Sequence, residues 1–279
     1  MVNYGFILVP LYIYPVPSAW DALFTAAATY PSVTFRAVIN PDSGPGDTAC
    51  PNSDFVAAMS ALNTHPNIQT LAYVHTAARY DCGPTGTWIC PCTQPLSALE
   101  ANISRYQNWN DAASNGCDVT ADVHLDGIFF DEAPSDGNCT SYMSDATSFA
   151  KTTLTRGSTV LFNAGQAVDA TFWGIADYIN VLEDTEAAYD NANIGALDGE
   201  GEYHAQSTVI LYDYSDGPAV LERDVGTLLG VQRDAMAGLY VTDLGVYDRF
   251  PTNFTGFVGE VARVVEANMA AASAEAAAR

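Results

Sequence analysis

Basic residues are scarce in this chain. Of 279 residues only 10 are Lys or Arg, against 33 Asp or Glu, and the formal net charge is −23. A nucleic-acid binder must neutralise phosphates with Lys and Arg, so that class of partner is close to excluded. Docking on an anionic membrane surface is disfavoured for the same reason. Lysine occurs once, as Lys151, and no Gly-Lys-Ser/Thr phosphate loop is present. No apolar run reaches the 18 or so residues that cross a bilayer. The first strand-like run leads into Leu11-Tyr-Ile-Tyr-Pro15, with no G-x-G-x-x-G turn for a dinucleotide. The four histidines form no H-E-x-x-H pattern, and no cofactor is expected. Met1-Val-Asn-Tyr-Gly5 lacks the basic segment, apolar stretch and small-residue cleavage site of a leader. The expectation is a mature chain whose signal peptide or anchor has been removed.

What is present points to an oxidising compartment. There are six cysteines, Cys50, Cys82, Cys90, Cys92, Cys117 and Cys139, and three N-glycosylation acceptors, at Asn102, Asn138 and Asn253. A secretory route explains both features, giving three disulfides whose connectivity is open among 15 pairings. A zinc site at Cys82, Cys90 and Cys92 is the rival reading, but their spacing departs from that of usual ligand pairs. A secreted, extracellular or cell-wall monomer is expected, without a membrane anchor in its mature form.

Apolar residues make up 48% of the chain, enough for a sizeable core. Eight β-rich runs recur along it: 5–14, 33–40, 70–76, 123–131, 159–163, 178–183, 208–213 and 238–242. Helical stretches lie between them, at 19–29, 54–63, 96–114, 141–155, 221–235 and 256–272. Eight alternating units in about 270 residues predict a single (β/α)8 TIM-like barrel over residues 1–270, with disulfide-stapled loops. Residues 271–279 read as a helix tail or an appended remnant. The Cys-rich segment 81–93 reads as a stapled loop, and 184–206 as a long acidic excursion.

In such a barrel the strand C-termini open on one face, where chemistry sits. The run Asp126-Gly-Ile-Phe-Phe-Asp131-Glu132 brings four apolar or Gly residues up to two adjacent acids, and Tyr178-Ile-Asn-Val-Leu ends in Glu183. Both runs are even-numbered strands, which supply the same side-chain layer, so Asp131 and Glu183 are expected to converge above the barrel. Two strand spacings place their Cα atoms roughly 9–10 Å apart. Inward-leaning side chains narrow the carboxyl gap to about 5–8 Å, the range of glycosidase pairs. Glycoside cleavage needs one protonated carboxyl for the leaving group and one anion facing an oxocarbenium-like centre, and unequal burial can keep two acids in those two states. Glu132 alone is equally well read as a helix cap or support.

Other strand-end residues are candidates for substrate contact. Tyr12 and Tyr212 offer faces for sugar stacking, Asn40 and Asn163 offer amides for hydroxyls or loop caps, and His75 stands at the end of the third run. Arg79 is expected to partner nearby acids and hold the cleft. Trp109, beside Tyr106 on a helix, reads as core.

The segments Val9-Pro-Leu-Tyr-Ile-Tyr-Pro15, Ile39-Asn-Pro-Asp-Ser-Gly-Pro-Gly46, Gly127-Ile-Phe-Phe-Asp-Glu-Ala-Pro134 and Asn163-Ala-Gly165 resemble the spherulin-4-like proteins, glycoside hydrolase family 135. The resemblance implies a (β/α)8 barrel, an extracellular fungal setting, and endo-hydrolysis of galactosaminogalactan, an α-1,4-linked polymer of galactose and N-acetylgalactosamine. It implies dependence on Asp131, Glu132 and Glu183, with anomeric retention. Asp131 is assigned as nucleophile, Glu183 as general acid/base and Glu132 as an orienting or tuning neighbour, the first two roles being exchangeable. The segment Tyr73-Val-His75-Thr-Ala-Ala-Arg79 departs from the family pattern, which expects a Tyr before the Arg. A related family acts on deacetylated, cationic polymer, so acetylation of the substrate stays open. Two other readings also stay open: a non-catalytic carbohydrate-binding barrel, and a metal-dependent hydrolase using His75, Asp131 and Asp213.

Overall fold

Eight of the apolar runs become parallel strands that close on themselves. The computed structural model describes residues 4–82, 88–90, 92–111, 115–230 and 235–278. The barrel strands are β1 (Phe6–Leu11), β2 (Thr34–Ile39), β3 (Ile68–His75), β6 (Gly127–Asp131), β7 (Thr159–Asn163), β8 (Tyr178–Thr185), β9 (Ser207–Tyr212) and β10 (Gly238–Val241). Each pairs in parallel with its neighbours, and β1 closes the ring by pairing with both β2 and β10. The segment β4 (Ala78–Cys82) and β5 (Trp88–Cys90) is a separate antiparallel pair. The fold is thus the TIM-like barrel that the run count predicts.

The surrounding helices are α1 (Asp21–Thr29), α2 (Ser53–Leu62), α3 (Leu96–Asn110), α4 (Thr140–Thr153), α5 (Glu186–Asp190), α6 (Ile194–Leu197), α7 (Pro218–Leu229) and α8 (Phe254–Ala278). Their apolar residues recur at helical spacing. In α3, Leu99, Ile103, Tyr106 and Trp109 are buried, and in α7, Leu221, Val225, Leu228 and Leu229. Local chemistry fixes their starts: Asn52 Oδ1 accepts the N–H groups of Asp54 and Phe55 at 3.0 Å each, and Pro218 opens α7. The acidic excursion after β8 holds two short helices, α5 and α6, in place of one long helix. Helix α8 runs through 271–278, and among the described residues none after Asn268 is buried.

Strand β6 begins at a glycine for a steric reason. A Cβ at Gly127 would stand 2.1 Å from the Thr159 carbonyl oxygen, so the close approach of β7 excludes any side chain there. At the opposite end of the barrel from the acids, Arg36 lies between the rings of Phe6 and Tyr178, 4.0 Å from each centroid. It also bonds Gln69 Oε1 and the Tyr178 hydroxyl.

Disulfides join Cys50 to Cys117 and Cys92 to Cys139. Cys90 is also disulfide-bonded, while the Cys82 side chain lies outside the described residues. Cys50–Cys117 closes 67 residues of chain, and a loop of that size restricts the unfolded ensemble by about 4 kcal/mol. The Cys50→Ala/Cys117→Ala double variant is therefore expected to lose up to about 4 kcal/mol in denaturant unfolding, with a larger m-value because its unfolded chain is less restricted. An unaltered midpoint would show that this cross-link contributes nothing. Of the three glycosylation acceptors, Asn138 and Asn253 are exposed and Asn102, on α3, is half-buried.

Candidate active site

The acids meet above the barrel through a single amide. Asn163, the last residue of β7, is buried, and its Nδ2 donates to Asp131 Oδ1 at 2.7 Å and to Glu183 Oε2 at 2.6 Å. The two carboxylate oxygens thus share one nitrogen and lie within about 5.3 Å of each other, the combined length of those two bonds. Behind it, Asn163 Oδ1 lies 2.7 Å from the side-chain amide of Asn180. Carboxylates only accept, so the NH2 group must face them.

Each acid also receives a phenol. Tyr73, inward-facing on β3, donates to Asp131 Oδ2 at 2.6 Å, and Tyr247, from the loop after β10, donates to Glu183 Oε1 at 2.6 Å. Tyr12 stands between these two tyrosines, edge-to-face with both, at ring centroid distances of 5.6 and 5.7 Å. Burial pushes its phenol well above the ordinary tyrosine range, with the negative charge of Asp131 adding to the effect. Burial likewise raises the Glu183 carboxyl above its ordinary value, and Asp131 pushes the same way. The bonds from Tyr247 and Asn163 oppose them without reversing the shift. The protonated form of Glu183 is thus easier to reach than that of an ordinary glutamate.

Two local devices aim these side chains. Asp131 and Glu132 turn off the end of β6, where Glu132 adopts φ +51°, a left-handed conformation that is uncommon for a side chain of this size. Buried Thr76 clamps the turn, its hydroxyl donating to the carbonyls of Asp131 and Glu132 at 2.8 Å each. The second device is a bulge in β8. Asn180 pairs with Thr208 but Leu182 with Val209, so one extra residue enters β8 between them. In a regular strand residues three apart face opposite ways; the bulge lets both Asn180 and Glu183 reach Asn163. Gly165 spans it, donating its N–H to the Asn180 carbonyl at 2.9 Å and accepting from Glu183 N at 3.2 Å. It does so at φ +63°, with a hypothetical Cβ 3.3 Å from Glu183 Cβ, which accounts for the Asn163-Ala-Gly165 motif.

The other candidates are distributed around this centre. The Glu132 carboxylate contacts His75 Nε2. Asn40 Oδ1 accepts the Gly44 N–H at 3.0 Å, so this amide caps its own loop. Tyr212 is half-buried at the end of β9, its hydroxyl 3.5 Å from Asp184 Oδ1, with a phenol raised mainly by burial. The side chain of Arg79 lies outside the described residues. Trp109 is buried in the core. No group of three or more His, Cys, Asp or Glu side chains is gathered for a metal ion among the described residues, and none of their helices is long and apolar enough to cross a membrane.

Sequence reasoning missed Tyr73, Tyr247, Asn180 and Thr76 as members of the site. Tyr73 was accessible in principle: it lies two residues before His75, in register with Phe129, two residues before Asp131 on the same face. Tyr247 carried no such signal, because it comes from an irregular loop.

The family model for spherulation-specific family 4, Spherulin4, matches residues 6–261. Among solved structures, Aspergillus clavatus Sph3 in complex with GalNAc superposes with TM-score 0.78 at 27% identity, covering 92% of this chain and 97% of that one. A chitinase from Bacteroides thetaiotaomicron superposes with TM-score 0.58 at 10% identity, over 95% of this chain and 98% of that one, a likeness of fold. No curated protein sequence matches.

Proposed function

The chain belongs to spherulation-specific family 4, and from that premise we propose that it is a secreted, endo-acting glycoside hydrolase. Its proposed substrate is an α-1,4-linked exopolysaccharide containing N-acetylgalactosamine or galactosamine, of the galactosaminogalactan type. The observation that carries the reading is the acid pair bridged by Asn163 at 2.7 and 2.6 Å. A gap of that size admits direct attack and suits retention; inversion needs roughly 6.5–9.5 Å to seat a water. The Sph3 likeness, with GalNAc in that structure, supports a carbohydrate ligand of the amino-sugar class.

In this reading Asp131 attacks the anomeric carbon as the bond to the leaving oxygen breaks. Glu183, whose protonated form burial favours, gives that oxygen its proton. Glu183 then takes a proton from water, and the hydroxide displaces Asp131 from the sugar. Tyr73 and Asn163 steady the Asp131 carboxylate in line. Tyr12 and Tyr212 supply aromatic surface beside the acids. The oxidised cysteines fit passage through a secretory compartment.

The test is incubation with purified acetylated and deacetylated galactosaminogalactan, followed by mass spectrometry of the products and NMR of the first-formed anomer. Internal cleavage into oligosaccharides with the original anomeric configuration is expected. Polymer retention without new reducing ends would replace the proposal with a carbohydrate-binding barrel, and an inverted anomer would overturn the mechanism.

A further inference from the structure

A carboxyl that alternates between general acid and general base must be satisfied in both protonation states. Asn163 serves only one of them. Its NH2 group donates and cannot accept, so it bonds an ionised Glu183 oxygen or the non-protonated oxygen of the acid. The other oxygen, Oε1, meets the Tyr247 hydroxyl at 2.6 Å. A phenol both donates and accepts. It donates a hydrogen bond to the carboxylate and, after rotation of the O–H, accepts one from the carboxylic acid.

Tyr247 is seated for that task. Its ring packs edge-to-face on Tyr12 (5.7 Å) and near Tyr240 (6.3 Å). Its loop is tied down on both sides: Asp213 N donates to the Leu244 carbonyl at 3.3 Å, and Thr252 N donates to Asp243 Oδ1 at 3.0 Å. The other titratable groups around Glu183 are Asp131 from β6, Tyr12 after β1 and Tyr212 at the end of β9. None of these three hydrogen-bonds Glu183 among the described residues.

We propose that Tyr247 is a positioning residue for Glu183, its hydroxyl following the carboxyl through both steps of the reaction as donor to the anion and acceptor from the acid. The inference rests on the glycosidase reading of the site. Burial already pushes the Glu183 carboxyl up, and the Tyr247 bond restrains that shift. Removing the hydroxyl withdraws a bond from both forms, but the bond to the charged form is the stronger, so Glu183 moves further up.

The experiment is Tyr247→Phe, which keeps the ring contacts with Tyr12 and Tyr240. Two readouts are used: the pH profile of kcat/KM, and the side-chain 13C carboxyl titration of Glu183, assigned against Glu183→Gln. We expect the basic limb and the carboxyl titration to move upward together by about one pH unit, and kcat near neutrality to fall about tenfold. A titration and a limb that both stay in place, whatever happens to kcat, would reduce Tyr247 to packing and overturn the inference. The titration needs no substrate. A wild-type protein that cleaves no polymer, yet shows the shifted carboxyl in Tyr247→Phe, would fail the proposed activity while leaving the Tyr247 coupling standing.

Discussion

Glu183→Gln is expected to lower kcat by about 10²–10⁴-fold, the contribution of a positioned general acid/base, without any loss of stability at pH 7. The amide is close in shape to the carboxyl: its oxygen can accept from Asn163 and its NH2 can donate to the Tyr247 hydroxyl oxygen, but it has no acidic proton to give the leaving oxygen. The stability half of the expectation follows from linkage. Burial raises the folded-state value of Glu183 above its unfolded one, so the folded protein holds this proton more tightly. The contribution of Glu183 is complete below the unfolded value and is lost as pH rises through the folded one. At pH 7 the wild-type protein carries the cost of a half-buried charge that glutamine does not. Denaturant unfolding at pH 7 should place the variant level with or above the wild type, while reducing-end assays report the lost turnover. A variant that is unstable and inactive together would attribute the lost turnover to folding; a stable variant with near-normal turnover would remove Glu183 from the chemistry. Asp131→Asn should be as inactive in the same assays, since it removes the attacking oxygen anion.

Asn163→Asp is expected to be the most damaging single change at the site, although it is nearly isosteric. It replaces an NH2 donor to two carboxylates with a third acceptor. Two hydrogen bonds to charged groups, each worth about 1.5–3 kcal/mol, are lost, and like charges are brought together. A destabilisation of about 3–5 kcal/mol at pH 7.5 is expected, with activity reduced at least about 100-fold. The sign of the pH dependence separates this cause from general misfolding. Protons taken up by the cluster restore donors and relieve repulsion, so the deficit should shrink as pH falls toward 4. Parallel unfolding curves of wild type and variant from pH 7.5 to 4 decide the matter. A deficit that is constant with pH would mean the amide acts by shape alone.

Much of this molecule could be read along the chain. Strand β7 occupies the residues its pattern marks, 159–163, and the other barrel strands lie within a few residues of theirs. Each is a short apolar run bounded by turn residues and separated from the next by a helical period, and such patterns are local. Asp131 and Glu183 were legible because both close apolar runs, and a parallel barrel brings all strand ends to one face. Glu132 was legible as a polar strand-end residue, but its direction was not: a left-handed φ turns it toward His75. Asn40 was visible as an amide at a strand end, and the loop it caps decided its partner.

The sequence by itself determined an acidic chain poor in basic residues, eight strand–helix units, and two acids at the ends of alternate strands. Those properties depend on composition and on periods of 2 and 3.6 residues, which need no knowledge of neighbours. That the two acids meet was decided only by the tertiary structure. Strict alternation along β8 would have set Asn180 and Glu183 on opposite faces; one inserted residue, spanned by Gly165, brings both to Asn163. A bulge depends on how two strands pair, and the hydroxyl of Tyr247 reaches Glu183 across 64 residues of chain. No local pattern encodes either, because each is settled by packing between segments that meet only when the barrel closes.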